Sequence, residues 1–355
     1  MRGVSLIKLI NGLRQAGVWA AFGAAMSFGA GTPLAKLLLN AVSPWLLAGL
    51  LYLGAGVGLG LYRYFNKATK VKLPRHEALW FAGAIVAGGI IAPILLMFGL
   101  TAMPASGASL LLNAEGVFTA LLAWFAFKEN FDRRIALGMI AILSGAVVLS
   151  WPGEARFAGS WPVLAVLGAC FAWGIDNNLT RKVSLSDATW IASVKGLAAG
   201  SVNLTLAFIM GANVPPLPNL AGALVVGFFA YGVSLVLFVV GLRHLGTART
   251  GAYFSIAPFI GTVLALAMGE PLTLTLVVAG SLMGLGIWLH LTEQHNHTHM
   301  HQLLEHDHEH IHDEHHQHHH DILVELSTKH RHLHRHTPMT HLHPHFPDAH
   351  HQHKH

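Results

Sequence analysis

The amino-acid sequence predicts an all-α polytopic membrane protein, in which ten transmembrane helices form two inverted five-helix repeats and precede a disordered, histidine-rich tail. Composition is the first observation: 53% of the 355 residues are hydrophobic and 11% are charged, whereas a soluble domain has about 25% charged residues. Apolar runs of membrane-spanning length recur along the chain. Finally, 24 of the 27 histidines lie beyond residue 294, so the tail is compositionally separate.

Ten apolar runs, separated by turns or charged loops, each approach the length of about 20 residues that crosses the hydrocarbon. Before them, residues 1–16 alternate apolar and basic residues at helical spacing, which predicts an amphipathic cytoplasmic helix at the membrane surface. The predicted spans are 17–39, 44–64, 78–100, 104–127, 134–151, 160–179, 187–210, 219–243, 246–268 and 272–291.

Basic residues predict the orientation of these spans. The N-terminus and the loops after spans 2, 4, 6 and 8 carry nearly all the Lys and Arg residues of the hydrophobic region, as in "RYFNKATKVKLPR" and "KENFDRR". The intervening turns, such as "NAVSP" and "GEP", carry almost none. Because basic loops mark the cytoplasmic side, both termini are predicted to be cytoplasmic in a multi-pass protein of the bacterial inner membrane.

The two halves resemble each other. "GLTAMPASGASLLLNAEGVFTALLAWFAFKENFDRRIALGMIAILSGAVVL" and "GLRHLGTARTGAYFSIAPFIGTVLALAMGEPLTLTLVVAGSLMGLGIWL" both open with Gly-Leu. Both continue into an apolar helix that ends in Glu129 or Glu270, and then into a glycine-containing helix. Five spans per half is an odd number, so the repeats at 17–151 and 160–291 insert in opposite directions, as in secondary transporters.

These blocks, together with "AAFGAAMSFGAGTPLAKLLL" and "SPWLLAGLLY", resemble the EamA domain of the drug/metabolite transporter superfamily. The resemblance covers about residues 17 to 291. It implies ten helices around a central cavity that opens to one side at a time, and it implies export of small metabolites. The chain departs from the family pattern at "KE" in place of "GE" and at Glu115, where the second half has Pro258.

Ionisable residues inside the spans are the candidate substrate or coupling residues, because an intramembrane charge is costly and is functional by default. Glu115 lies near the middle of span 4, beside Asn113, and Lys195 lies in span 7. In one interpretation Glu115 lines the cavity and binds a cationic group or carries a proton. In the other it pairs with Lys195, or is protonated, and only holds helices together.

Polar residues near the span ends have a structural interpretation as well as a functional one. Asp176 and Asn177 in "WGIDNNLTRK" either line the inner mouth of the cavity or cap the helix at the interface. Lys36 is expected to extend towards the outer interface. Glu129 and Glu270 are expected to accept backbone N–H bonds at the start of the next helix.

Tryptophan and cysteine positions favour packing roles. Five tryptophans near span ends are predicted interfacial anchors, and three deeper ones are predicted to pack in the core rather than face the cavity. Cys170 is the chain's single cysteine, so no intrachain disulfide forms, and its apolar setting predicts core packing. The anchors are Trp45, Trp80, Trp151, Trp161 and Trp190, and the deeper residues are Trp19, Trp124 and Trp173.

The tail at 294–355 is too poor in apolar residues to form a core, which predicts disorder. Motifs such as "HDHEHIHDEHHQHHH" place histidines at i, i+2, and neutral imidazole binds Zn²⁺, Ni²⁺, Co²⁺ and Cu²⁺. A purification tag and a pH-sensitive charge patch are the alternatives to metal binding. The candidate ligands are His295, His297, His299, His306, His308, His310, His312, His315, His316, His318, His319, His320, His341, His343 and His345.

Three functions follow. The first is a secondary-active exporter of a small metabolite, with the tail as a metal-binding accessory. The second is efflux of divalent metal ions or their chelates, fed by the tail. The third is a membrane-anchored metal buffer or sensor. No nucleotide loop or nucleophile constellation appears, so catalysis and a required cofactor are not expected. Lipid, substrate and metal ions are the expected partners, nucleic acid is not, and a homodimer is left open.

Overall fold

A computed structural model divides the chain into two compact units, Met1–Glu293 and Gln294–His355. The predicted amphipathic segment 1–16 lies outside the described residues except for Ala16. The described residues are 16–71, 73–127, 133–150, 160–183, 186–241, 253–291, 296–300, 304–310, 330–336 and 340–344.

All the described secondary structure of the first unit is helical. Its described residues form ten helical segments near the predicted positions, which confirms the polytopic helical fold. Six of the described helices are long and apolar enough to cross a membrane, and three shorter ones are apolar. Spans 1 to 10 are Ala16–Leu38, Pro44–Phe65, Arg75–Thr101, 105–127, Arg133–Ser150, Trp161–Arg181, Ala188–Ile209, Leu217–Gly241, 253–267 and Leu274–Leu291.

Contacts between the repeats are reciprocal. Span 2 packs on span 7 and span 5 packs on span 10, so helices of equal rank meet. Span 4, the fourth helix of the first repeat, packs on span 6, the first helix of the second repeat. Correspondingly, span 9 packs on span 1. Span 3 contacts spans 6 and 7, whereas span 8 contacts spans 1 and 2. This exchange is the pattern of two inverted repeats related by a pseudo-twofold axis in the membrane plane.

Span 4 is interrupted and spans 3 and 8 are locally wound as π-helix. Span 4 consists of helices Ala105–Leu111 and Ala114–Phe127, joined by a turn at 112–113. The π-helical segments are Ile85–Ile91 and Phe228–Val233, about ten residues into the third helix of each repeat. A π-turn leaves carbonyl groups for other donors and re-aims the helix.

Small residues allow the close crossing of spans 2 and 7. A Cβ added to Gly196 would lie 2.5 Å from the Gly56 nitrogen, and one added to Gly200 would lie 2.6 Å from the Leu53 nitrogen. Ser193 Oγ donates a hydrogen bond of 3.1 Å to the Gly56 carbonyl across the same interface. Gly196 and Gly200 therefore act as a small-xxx-small contact, in which helix backbones approach closely.

One end of the bundle carries residues 66–71, 182–183 and 186–187, and we call it the basic end. There Arg63 of span 2 forms an ion pair of 2.8 Å with Asp187. Asp187 also caps span 7 by accepting from the Thr189 and Trp190 backbone nitrogens at 2.8 and 3.1 Å. Burial raises the pKa of Asp187, but the hydrogen bonds from Thr189, Arg63 and Trp190 outweigh it and hold the pKa below its usual range. Spans 2 and 7 are thus joined at this end.

At the opposite end, which we call the short-turn end, the prediction for Glu270 is wrong in its partner. Its carboxylate accepts from the Ala105 nitrogen at 2.7 Å and the Ser106 nitrogen at 2.9 Å. These groups begin span 4 of the other repeat, where the N-cap Pro104 makes no side-chain cap bond. The following helix is capped by Thr273 instead, which accepts from the Leu276 nitrogen at 3.2 Å. Glu129 lies outside the described residues.

Lys36, which is expected to extend towards the outer interface, lies at the same short-turn end. Its ammonium group donates to the carbonyl of Leu100 and, at 3.5 Å, to that of Thr101. Lys36 therefore neutralises the carbonyl end of span 3 and Glu270 the amide end of span 4, on the two sides of the turn that joins them. Both charges have the sign that the helix dipole favours.

The described residues of the second unit form four short strands, β1 Asn296–Met300, β2 Leu304–His310, β3 His330–His336 and β4 Thr340–Pro344. β1 pairs with β4 and β2 with β3, both antiparallel. These four segments depart from the predicted disorder. In paired strands the backbone N–H and C=O groups bond to each other, which does not require an apolar core. Low hydrophobicity alone therefore does not exclude paired strands.

Replacing Gly196 by Ala should lower the thermal-unfolding midpoint of the detergent-solubilised protein, because the new methyl group overpacks the crossing of spans 2 and 7 by about 1–3 kcal/mol. Gly284→Ala is the matched control, since its nearest neighbouring atom would be 3.8 Å away. Equal midpoints for the two variants would contradict this packing.

Replacing Glu270 by Ala should destabilise the protein by about 1–2 kcal/mol, because two amide groups at the start of span 4 lose their acceptor. Glu270→Gln retains one amide oxygen and should fall between Ala and the native residue in thermal unfolding. A Glu270→Ala protein that melts like the native one would disprove the cross-repeat cap.

Candidate functional site

Four of the five predicted substrate or coupling residues come together between spans 4, 6 and 7. We call Glu115, Asp176, Asn177 and Lys195 the polar cluster. Glu115 lies ten residues into span 4, which corresponds to a depth of about 15 Å at 1.5 Å per residue. Asn177 Nδ2 donates to the Glu115 carboxylate at 2.8 Å and lies 3.2 Å from Thr119 Oγ1. The carboxylate is thus oriented by an amide within the hydrocarbon depth.

Lys195 pairs with Asp176, so the interpretation that Lys195 pairs with Glu115 is wrong. The Lys195 ammonium donates directly to the Asp176 carboxylate, and the two side chains are only 12% and 6% exposed. Thr180 Oγ1 donates to the other Asp176 oxygen at 2.8 Å. This burial also rules out the interfacial capping role for Asp176.

The π-helical segment of span 3 makes room for this pair. A Cβ on Gly88 would collide with the Asp176 carboxylate, so only glycine allows the carboxylate this position. The Gly88 carbonyl accepts from Tyr52 Oη at 2.5 Å and from Trp173 Nε1 at 3.0 Å. Asn203 Nδ2 fixes the neighbouring Gly89 carbonyl at 3.0 Å. The sequence did not predict these hydrogen bonds to the Gly88 and Gly89 carbonyls. The one sequence feature that marks them is the pair of glycines inside an apolar span.

An aromatic wall adjoins the Gly88 carbonyl. The rings of Tyr52 and Tyr231 are 5.2 Å apart, and Phe28 lies 6.1 Å from Tyr231 and 6.4 Å from Trp173. Trp173 is buried, whereas Trp19 and Trp124 are exposed on the helix surface, where the lipid would lie. Trp173 is therefore the deep tryptophan that adjoins the site.

Asn113 does not join the polar cluster. Its Nδ2 donates to the Leu110 carbonyl at 2.9 Å and lies 3.8 Å from Met283 Sδ of span 10. Asn113 stabilises the turn that interrupts span 4, which is a structural role. Cys170 is likewise buried, with its Sγ 3.6 Å from the Leu111 carbonyl, as the core-packing prediction expects.

A separate cavity of about 310 Å³ lies between spans 2, 7 and 8 near the short-turn end. Its lining is entirely apolar and includes Leu50, Leu204 and Phe208. Such a lining has no group to orient a charged or polar ligand. The polar cluster, which has both charge signs, is therefore the better candidate site.

The predicted metal ligands divide into two groups. Among the residues whose side chains the structure describes, no group of three or more His, Cys, Asp or Glu is assembled for a metal. The backbone positions of His297, His299, His306, His308, His310, His341 and His343 lie in the tail strands. His295, His312, His315, His316, His318, His319, His320 and His345 lie outside the described residues.

Replacing Lys195 by Met should destabilise the protein by about 3–5 kcal/mol, because the buried Asp176 carboxylate loses its counter-charge. Adding Asp176→Asn should recover most of the lost stability. Thermal unfolding of the two single variants and the double variant measures this recovery. Additive losses in the double variant would contradict a direct pair.

Comparison with known proteins agrees with this architecture. A crystal structure superposes with a TM-score of 0.60 at 18% identity and covers 78% of this chain and 96% of that one, which shows a shared fold. An uncharacterized transporter of Methanothermobacter thermautotrophicus is 28% identical over 75% of this chain and 83% of its own length. A probable amino-acid metabolite efflux pump of Salmonella typhimurium is 26% identical, over 72% and 88%.

Further similarity extends to the uncharacterized inner membrane transporter YedA of Escherichia coli, which is 25% identical over 64% of this chain and 74% of its own length. A model of the EamA-like transporter family matches residues 15–151 and again residues 160–292. The two matches together span most of the chain. This multi-pass membrane protein therefore belongs to the EamA-like transporter family.

Proposed function

We propose that the protein exports a small zwitterionic metabolite of amino-acid type from the cytoplasm by alternating access, with the polar cluster as the binding site. The observation that carries the proposal is the division of charge in the cluster. Lys195 neutralises Asp176, whereas Glu115 has an amide partner in Asn177. A carboxylate at this depth is costly unless it is hydrated, protonated or paired, and a substrate ammonium group would pair with it.

The rest of the cluster complements such a substrate. A substrate carboxylate would compete with Asp176 for the Lys195 ammonium, since both are carboxylates of the same charge. The wall formed by Phe28, Tyr52, Trp173 and Tyr231 would pack against an apolar side chain. The name of the Salmonella typhimurium relative, a probable amino-acid metabolite efflux pump, also supports an amino-acid-type substrate.

Energy coupling is assigned to a proton on Glu115. Membership of a transporter family favours transport over catalysis, and the predicted energy source is an ion gradient. A carboxyl group that binds either a proton or the substrate ammonium would exchange one for the other across the membrane. The proposed location is the inner membrane, with both termini cytoplasmic and the basic end inside, as the positive-inside rule predicts.

The histidine-rich tail is assigned an accessory role in binding Zn²⁺, Ni²⁺, Co²⁺ or Cu²⁺ at the cytoplasmic face. Efflux of metal ions through the bundle has less support, because Glu115, Asp176 and Asn177 are hard oxygen or amide groups and one carboxylate already holds Lys195. A metal buffer or sensor without transport is disfavoured by the family match.

Replacing Glu115 by Gln should lower proton-gradient-driven transport of an amino acid in proteoliposomes by about ten- to a hundredfold, because a charge-assisted contact of about 1.5–3 kcal/mol is lost. The remaining transport should lose its dependence on pH. Thr205→Val, which alters an exposed hydroxyl of span 7 outside the cluster, should transport normally.

Two outcomes would overturn this assignment. Unchanged transport and pH dependence in Glu115→Gln would remove Glu115 from both roles. Transport that is lost equally in Thr205→Val and Glu115→Gln would show a general defect of the variants rather than a role for the carboxylate.

A further inference from the structure

The tail strands bring histidines of distant segments into register. In the pairing of β2 with β3, His306 is opposite His334, His308 is opposite His332, and His310 is opposite His330. β1 and β4 show the same arrangement, with His297 opposite His343 and His299 opposite His341. Every one of these pairs joins residues more than 15 positions apart in the chain, so composition alone does not specify them.

The register also pairs opposite charges. Between the histidine positions of β2 and β3, Glu305 is opposite Arg335 and Glu309 is opposite Arg331. Alternate positions of a strand belong to opposite faces, so the three histidine pairs occupy one face of the ladder and the charge pairs the other. Cross-strand pairs of opposite charge stabilise a ladder and like charges destabilise it. The charges therefore favour this register independently of the histidines.

We propose that the β2–β3 ladder is a defined binding site for an imidazole-preferring divalent transition-metal ion. The site is formed by the cross-strand pairs His306/His334, His308/His332 and His310/His330. The inference rests on the proposed metal-binding role of the tail and makes it specific. His330, His332 and His334 of β3 add to the candidate ligands that the histidine motifs predict. The β1–β4 pairs would form a second, smaller site of the same kind.

The geometry of an antiparallel pair suits such a site. Directly opposed positions have Cβ atoms about 4.5–5.5 Å apart, a separation at which two imidazoles can share one ion, and the next pair on that face lies two residues along. Ligands held in register lose less freedom on binding than ligands of a random coil. The ladder should therefore bind more tightly than its histidine content alone would.

The test separates register from composition. Full-length protein without an affinity tag of histidines is titrated with Ni²⁺, next to a variant in which two of the three β2 histidines, His306 and His308, move to the other face at constant composition, while the pair of His310 with His330 is kept. A third variant moves His332 and His334 of β3 as well, which restores two adjacent cross-strand pairs at 307/333 and 309/331. The first set of substitutions is His306→Asp, Asp307→His, His308→Glu and Glu309→His. The added set is Arg331→His, His332→Arg, Leu333→His and His334→Leu.

The ladder predicts that the tightest class of Ni²⁺ sites is lost in the β2 variant and recovered in the combined variant, while total capacity at saturating Ni²⁺ stays constant. Identical titration curves for all three proteins would overturn the ladder and leave a diffuse metal-binding tail. A native protein that binds no more Ni²⁺ than a chain truncated after Glu293 would overturn the tail's proposed function as well.

Discussion

The cost of charge in hydrocarbon is the constraint on which this structure depends. Glu115, Asp176 and Lys195 lie inside the span-forming helices, away from the helix ends, where a charge costs several kcal/mol unless it is compensated. The chain compensates two of them with each other and orients the third with Asn177. Since the three groups come from three different helices, their contacts fix how spans 4, 6 and 7 are rotated about their axes.

The packing of the repeats serves that arrangement. Gly196 and Gly200 allow span 7 to approach span 2 at backbone distance, which brings Lys195 to the interior. The π-helical segment of span 3 leaves the Gly88 and Gly89 carbonyls available to Tyr52, Trp173 and Asn203 and leaves space for the Asp176 carboxylate. At the two ends, Arg63 with Asp187 and Glu270 with the start of span 4 join one repeat to the other. The polar cluster thus lies at the interface between the two repeats rather than within either one. Contacts between the repeats stabilise this interface at both ends.

Much of this was predictable from sequence, because long apolar runs and loop charges depend only on local composition. The ten spans and the mid-depth position of Glu115 follow from counting residues. The partner of Lys195 did not follow, since hydropathy fixes the depth of a residue but not the rotation of its helix. Asn113 illustrates the same limit: it is adjacent to Glu115 in sequence, yet the turn at 112–113 directs it to span 10.

Long-range partners escaped prediction for a related reason. Glu270 was expected to cap the helix that follows it, as most local caps do, but the free amide groups of span 4 are closer in space. The π-helical segments have no sequence signature beyond glycines in an apolar run. In the tail, low hydrophobicity predicted disorder, whereas period-two histidines with complementary charges were the signal for paired strands.

The most direct measurement concerns access to the polar cluster. A cysteine placed at Asn177, with the buried native Cys170 replaced, can be labelled with membrane-impermeant thiol reagents from either side of oriented vesicles. An alternating-access chamber predicts labelling from one side at a time, and a transported amino acid should change the rate. Labelling from neither side would make the cluster an internal packing element, and simultaneous access from both sides would make it a pore; either result would contradict the proposed transporter mechanism.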